Sequence, residues 1–214
     1  MEAVCVVLGG GGHARSLIDV LQSIDQTKLY GVLDVDQGRW GSSLCGVSVL
    51  GGDELLEELV LDGVNCFVVG LGGTGDNSPR KRLFRLGISF NLRPLTVMHS
   101  SAVCSRFSSV GPGTQLFPGS IVNAGVELGA NVIVNSGAIV EHDCVIGDHV
   151  HVSTGARIAS TVRIGEGAHI GVGATVKQCV CIGENSIVGA GSVVVKNVHP
   201  CSVVVGVPAG PLDE

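Results

Sequence analysis

The chain has 214 residues, 45% of them hydrophobic but only 3% aromatic, with 33 glycines and a formal net charge of −6. Core material is plentiful, yet a core so poor in rings must be thin and lined by Val, Ile, Ala and other small side chains. The acidic balance, with no basic run longer than Arg80-Lys81-Arg82, argues against nucleic acid and anionic membranes as partners, and no stretch reaches the length of a membrane span.

The first apolar run has neither a basic flank nor a cleavage site, so it reads as a strand, Val4 to Leu8, and not as a signal peptide. Gly9-Gly10-Gly11-Gly12-His13 follows, then a helix with Leu17, Ile18 and Leu21 on its apolar side. The glycine run lacks the full dinucleotide-binding spacing, because Arg15 stands where the third glycine would fall. It is either a plain strand-to-helix turn or a set of backbone amides offered to phosphate at a helix start. Tyr30 to Leu33 is a second strand, ending at Asp34-Val35-Asp36, where α/β sheets bind ligands. Val47 to Leu50 is a third strand, and Asp53 is the expected N-cap of a helix over 54–61. Cys66 to Val69 is a fourth, followed by a glycine-rich loop over 70–75 and a helix near Pro79 to Leu86. Arg80 and Arg82 on that helix either approach a phosphate or are solvated surface residues. Strands alternating with helices predict a parallel α/β domain over residues 1–96.

From Val110 onward the chain changes period. Steps of six land on Val110, Leu116, Val122, Leu128, Val134, Val140, Ile146, Val152, Ile158, Ile164, Ile170, Val176, Ile182, Val188 and Val194, all branched aliphatics. Four residues after each anchor comes a small or β-branched side chain, such as Val132, Ala138, Cys144 and Ala156. Glycine repeatedly follows the anchor, as in Ile146-Gly147 and Ile164-Gly165, and is expected to turn the corner. This is the pattern of a parallel β-helix in which three hexads close one coil and residues 18 apart stack. The segment 97–214 is the expected β-helix domain, with a tail after His199-Pro200 that leaves the repeat.

A regular coil needs no ionisable residues, so Val140-Glu141-His142-Asp143-Cys144-Val145 stands out. A histidine beside an acid on an outer corner can serve as a general base, the acid orienting the imidazole; the alternative is a solvated corner. His151 follows half a coil later, with His169 stacked 18 residues beyond it, either as part of a polar strip or simply exposed. Cys144 falls in the small inward slot and reads as core. The eight cysteines, without a secretion signal, are expected to remain thiols in a reducing cytoplasm. Cys179 and Cys181 have no partners at zinc spacing, so no metal site is expected.

The segment 134–148 with His151-Val152-Ser153, together with Gly10-Gly11-Gly12-His13-Ala14 and Val205-Gly206-Val207-Pro208-Ala209, resembles the bacterial sugar O-/N-acyltransferases, the group holding sialic acid O-acetyltransferases and nucleotide-amino-sugar N-acetyltransferases. The resemblance implies a Rossmann-like α/β domain followed by a left-handed β-helix. It also implies a homotrimer with acetyl-CoA lying between neighbouring subunits. His142 would be the catalytic base, oriented by Asp143. His151, Val172 and Ala190 would contact acetyl-CoA. Asn135 would lie near the acceptor, Gly11, Gly12, His13, Asp34 and Val35 would hold the nucleotide, and Gly72 would face the sugar. Which of Asp34 and Asp36 meets the nucleotide stays open.

The expected reaction is direct N-acetylation of a UDP-linked 4-amino-4,6-dideoxy sugar in glycan biosynthesis, without an acyl-enzyme. O-acetylation of a sialic acid is the alternative within the fold. A non-catalytic nucleotide-sugar-binding scaffold is the alternative of another class, and trimerisation alone would not require His142-Asp143.

Overall fold

The computed structural model describes residues 3–24 and 27–212, so the outermost positions of both expected domains lie outside the described residues. The chain separates into two compact units, one of residues up to 72 together with 79–97, the other of 73–78 together with 98 onward. Among the described residues no helix is long and apolar enough to cross a membrane.

In the first unit, β1 (Ala3–Leu8), β2 (Thr27–Leu33), β3 (Ser43–Leu44), β4 (Val47–Gly51), β5 (Cys66–Val69) and β6 (Arg93–Pro94) form one sheet in the order β3-β4-β2-β1-β5-β6. All neighbours are parallel except β3 and β4. The order reverses between β1 and β5, which opens a crevice at the carboxyl ends of the strands. Helix α1 (Gly12–Ser23) buries Leu17, Ile18 and Leu21, the residues its 3.6 period places on one side. Helix α2 (Leu56–Leu61) follows a 3₁₀ turn, Asp53–Leu55, whose N-cap is Gly52. Asp53 is therefore not the expected cap; it lies inside the turn and its carboxylate pairs with Arg82 instead. Helix α3 (Ser78–Ser89) brings Gly87 against the Phe67 ring so closely that a β-carbon would lie 2.6 Å from it. Burying a side chain such as Phe67 contributes about 1.5–3 kcal/mol.

The second unit is a coil of mostly two-residue strands stacked into sheets of eight, six and five strands, parallel except where Val203–Val205 and Gly210–Pro211 run antiparallel at the end of the first. Within the repeat a strand pairs with the one 18 residues on, as Ile133–Val134 does with His151–Val152 and that pair with His169–Ile170, up to Val193–Val194. From Leu116 to Val194 every anchor is buried, and so is every side chain four residues after an anchor, Cys144 included. These two columns fill the interior with branched aliphatics and small residues. That answers the aromatic-poor composition.

The corner chemistry differs from expectation. The left-handed backbone conformation falls three residues after each anchor, at Gly137, Asp143 (φ 60°), His149, Gly155 and Thr161. The glycine directly after the anchor is needed for a different reason: a β-carbon on Gly147 would lie 2.8 Å from the Glu166 amide of the next coil. That glycine permits close stacking, while the residue two places later makes the turn.

Candidate functional site

The coil unit contains a cleft of ≈ 390 Å³ lined by residues 73–75, Asn135, His151, Ser153, Thr154, His169, Gly171, Val172 and residues 187–190. Three in-register strands supply its floor, because His151 and His169 occupy equivalent places in successive coils. The His151 ring is buried; its Nδ1 lies 3.0 Å from the Gly73 carbonyl and its Nε2 3.2 Å from Asn135 Nδ2. Asn135 Oδ1 in turn accepts from the Ser136 amide at 2.8 Å. The His169 ring meets His151 edge-on, centroids 5.0 Å apart, and its Nε2 lies 3.4 Å from Ser153 Oγ. His169 is buried, not exposed, and burial pushes its pKa below the usual imidazole value. The segment 73–78 is fastened by Asn77, whose Nδ2 donates to the carbonyls of Gly167 and Ala168 at 3.0 and 3.1 Å.

Asn135, His151, Val172 and Ala190, which the resemblance assigned to the acceptor and to acetyl-CoA, thus meet in one cleft. Among the described residues no carboxylate lines it, Val172 and Ala190 are exposed, and Gly171 and Gly189 keep the coil backbone side-chain-free between them. A slender, largely apolar arm ending in a thioester fits such a wall.

His142 and Asp143 do not line this cleft. They sit on an outer corner, with His142 Nδ1 2.8 Å from Asp143 Oδ2 and both side chains more than half exposed (57% and 63%). Asp143 sits at the turning position, and its amide donates to the Ala124 carbonyl at 3.1 Å. Turn geometry therefore aims the carboxylate at its neighbour's ring.

The α/β unit has its own cleft of ≈ 340 Å³ at the carboxyl ends of β1, β2 and β5. Gly11, Asp34 and Val35 line it; Gly12, His13 and Gly72 do not, Gly12 opening α1 and Gly72 lying against the His13 ring. Asp34 reaches the cleft and Asp36 does not. Both Asp34 oxygens also fasten loops: Oδ2 accepts from Gly10 N at 2.6 Å and Oδ1 from Asp36 N at 2.8 Å. Arg39, which sequence reasoning missed, donates to the Gly10 carbonyl at 2.5 Å and to Asp36 at 3.2 Å. The helix start behind Gly11 has no side-chain cap, and helix-start amides are the groups that an anion site uses.

Arg80 is neither on the surface nor at a phosphate position. Its buried guanidinium donates to the carbonyls of Val69 and Leu71 at 3.0 and 2.8 Å, and burial lowers its pKa to about 9. It ties down the loop leaving β5. Arg82 lines the cleft, 3.3 Å from Asp53.

Residues 5–86 match the family model described as the PglD N-terminal domain, and residues 161–196 match that of the bacterial transferase hexapeptide, six repeats. No curated protein matches the chain. Among solved structures, perosamine N-acetyltransferase from Caulobacter crescentus, a histidine-to-asparagine variant in complex with CoA and GDP-perosamine, is 34% identical, with 100% of this chain and 99% of that chain covered and a TM-score of 0.93. The acetyltransferase domain of PglB from Neisseria gonorrhoeae FA1090 is 30% identical over 98% of this chain and 99% of that one, with a TM-score of 0.89. WeeI from Acinetobacter baumannii AYE is 27% identical over 98% and 100%, with a TM-score of 0.87.

Proposed function

The chain belongs to the hexapeptide-repeat sugar N-acetyltransferases, acetyl-CoA-dependent acyltransferases with an α/β domain ahead of a left-handed β-helix, and we propose that it N-acetylates a nucleotide-linked amino sugar with His142 as general base. In this division of labour residues 1–96 hold the nucleotide, and residues 97–214 carry the acyl donor and the base. The observation that carries the reading is the His142–Asp143 contact of 2.8 Å, with both side chains exposed at an outer corner of the coil.

An imidazole whose Nδ1–H donates to a carboxylate has its Nε2 lone pair available as a base. His142 Nε2 would take the proton from the acceptor amine as the nitrogen bonds to the acyl carbon. The C–S bond breaks, and the proton passes on to the leaving thiolate. Asp143 holds the ring and favours the cation that forms. Acetyl-CoA, when bound, supplies the activated acyl carbon and the thiolate. Val172, Ala190 and the glycines between them would bear its arm, and Asn135 would approach the acceptor. Gly11, Gly12 and His13 would meet the phosphates through the start of α1, with Asp34 and Val35 at the nucleoside and Gly72 beside the sugar.

His142 stands outside the cleft of His151, so the reading includes a homotrimer in which one subunit's His142 faces a neighbour's cleft. Sedimentation velocity checks this, and a monomer active at all concentrations would overturn it. The reading also places the chain in a reducing cytoplasm, where its eight cysteines would remain thiols. The deciding assay is acetyl-CoA consumption against UDP- and GDP-linked amino sugars and free sialic acid. Turnover with a nucleotide-linked amine is expected, UDP-linked 4-amino-4,6-dideoxy sugars included. Turnover with free sialic acid alone would overturn the assignment.

A further inference from the structure

We infer that His151 is a positioning residue locked as the neutral, Nδ1-protonated tautomer, and that it aims the Asn135 amide at the acyl-transfer cleft; this rests on the reading of that cleft as the acyl-donor site.

The polarity of the chain of hydrogen bonds is forced from both ends. At one end the Gly73 carbonyl, 3.0 Å from His151 Nδ1, can only accept, so Nδ1 carries a proton. At the other end the Ser136 amide can only donate, so the Asn135 atom 2.8 Å away is Oδ1. Turning the amide over would set N–H against N–H. Asn135 Nδ2 therefore faces His151 Nε2 at 3.2 Å and donates to it, which requires a lone pair there. A proton on Nε2 would oppose the Asn135 donor, and Asn135 cannot turn without losing Ser136.

Two consequences follow for the chemistry. Both ring nitrogens of His151 are committed to protein groups, so the ring contributes shape and anchorage to the cleft instead of a hydrogen bond. Asn135 retains one Nδ2–H, and with Asn135 on the cleft wall this is a neutral donor for a ligand oxygen. Among the described residues, His169, edge-on at 5.0 Å, is the other titratable side chain lining the cleft, and no carboxylate lines it. On the segment 73–78, Asp76 is exposed and accepts from the Ser78 amide at 2.8 Å.

The test is long-range ¹H–¹⁵N correlation on the full-length protein labelled in histidine. For His151 the expected pattern is protonated Nδ1 and bare Nε2 from about pH 8 to about pH 5.5, where an unconstrained imidazole of value near 6.5 would gain its second proton. In Asn135→Asp the ring faces acceptors on both sides, so both nitrogens should be protonated at neutral pH. In Asn135→Ala the opposing donor is gone, and ordinary titration should return. A bare Nδ1 in the wild type, ordinary wild-type titration, or an Asn135→Asp ring that stays neutral would each overturn the inference. Asn135→Asp should also lower kcat about 10²-fold through misplacement of the reacting groups, with KM for acetyl-CoA little changed. Calorimetric titration with acetyl-CoA separates the two levels. Absence of binding to the wild type would sink the reading of the cleft, whereas binding with the wrong tautomer would sink only the role given to His151.

Discussion

The two clefts are built on opposite principles. In the α/β unit, charged side chains spend themselves on holding backbone: Asp34 on Gly10 and Asp36, Arg39 on Gly10, Arg80 on Val69 and Leu71. In the coil, the sheet already fixes the backbone every 18 residues, so the cleft needs only neutral groups, Asn135, His151, Ser153 and His169. Loops at strand ends need charge-assisted bonds to keep a shape. A stacked coil does not, and its side chains are free to face a ligand.

That contrast can be broken in several ways. The largest effect should come from His142→Ala, which is expected to cut turnover by about 10²–10⁴-fold while assembly and thermal stability persist. Normal turnover would remove the base assignment. Next comes the contrast in packing. Phe67→Ala leaves a ring-sized void in the α/β core and should cost about 3–5 kcal/mol in chemical denaturation. In the coil, where the slots are small, the sensitive direction is the reverse. Ala156→Leu overfills its corner and should cost about 1–3 kcal/mol, and a neutral result would mean that the coil is less closely packed than its burial suggests.

Asp34→Ala unfastens both Gly10 and Asp36. A loss of about 1–3 kcal/mol in binding of a nucleoside diphosphate is expected, with acetyl-CoA binding unaffected; equal losses for both ligands would contradict the separation of roles. The smallest effect concerns His169. Burial lowers its folded-state pKa, so below about 6.5 the unfolded chain binds more protons than the folded one. Stability should therefore fall as pH drops through that window and hold steady above it. His169→Asn should flatten the dependence, and an unchanged pH profile of Tm would show that His169 is not its source.

Legibility in the sequence followed the same division. In the coil a residue's place is set by its position within a hexad, so both inward columns were readable, as was the alignment of His151 with His169. The corner was misread because glycine after the anchor suggested a turn, whereas the left-handed turn is made two residues later by asparagine, aspartate, histidine and threonine as well as glycine. In the α/β unit the strand–helix alternation was readable. The partners of Asp53, Arg39 and Arg80 were not, because each reaches its partner through tertiary contacts that leave no period in the chain. Asp53 has the composition of a cap, but Gly52 takes that place and Arg82 takes the carboxylate.

By itself the sequence determined the coil, the alternation ahead of it, and the pairing of His142 with Asp143, because each depends on spacing along the chain. Only the tertiary structure decided that His142 stands apart from the cleft of His151, and that Asp34 and not Asp36 reaches the cleft of the α/β unit. It alone directed the hydrogen bonds from Gly73 to Ser136, which bring residues 78 positions apart to 3.0 Å. Hydrogen-bond polarity is a property of atoms in contact, and no pattern along the chain encodes it.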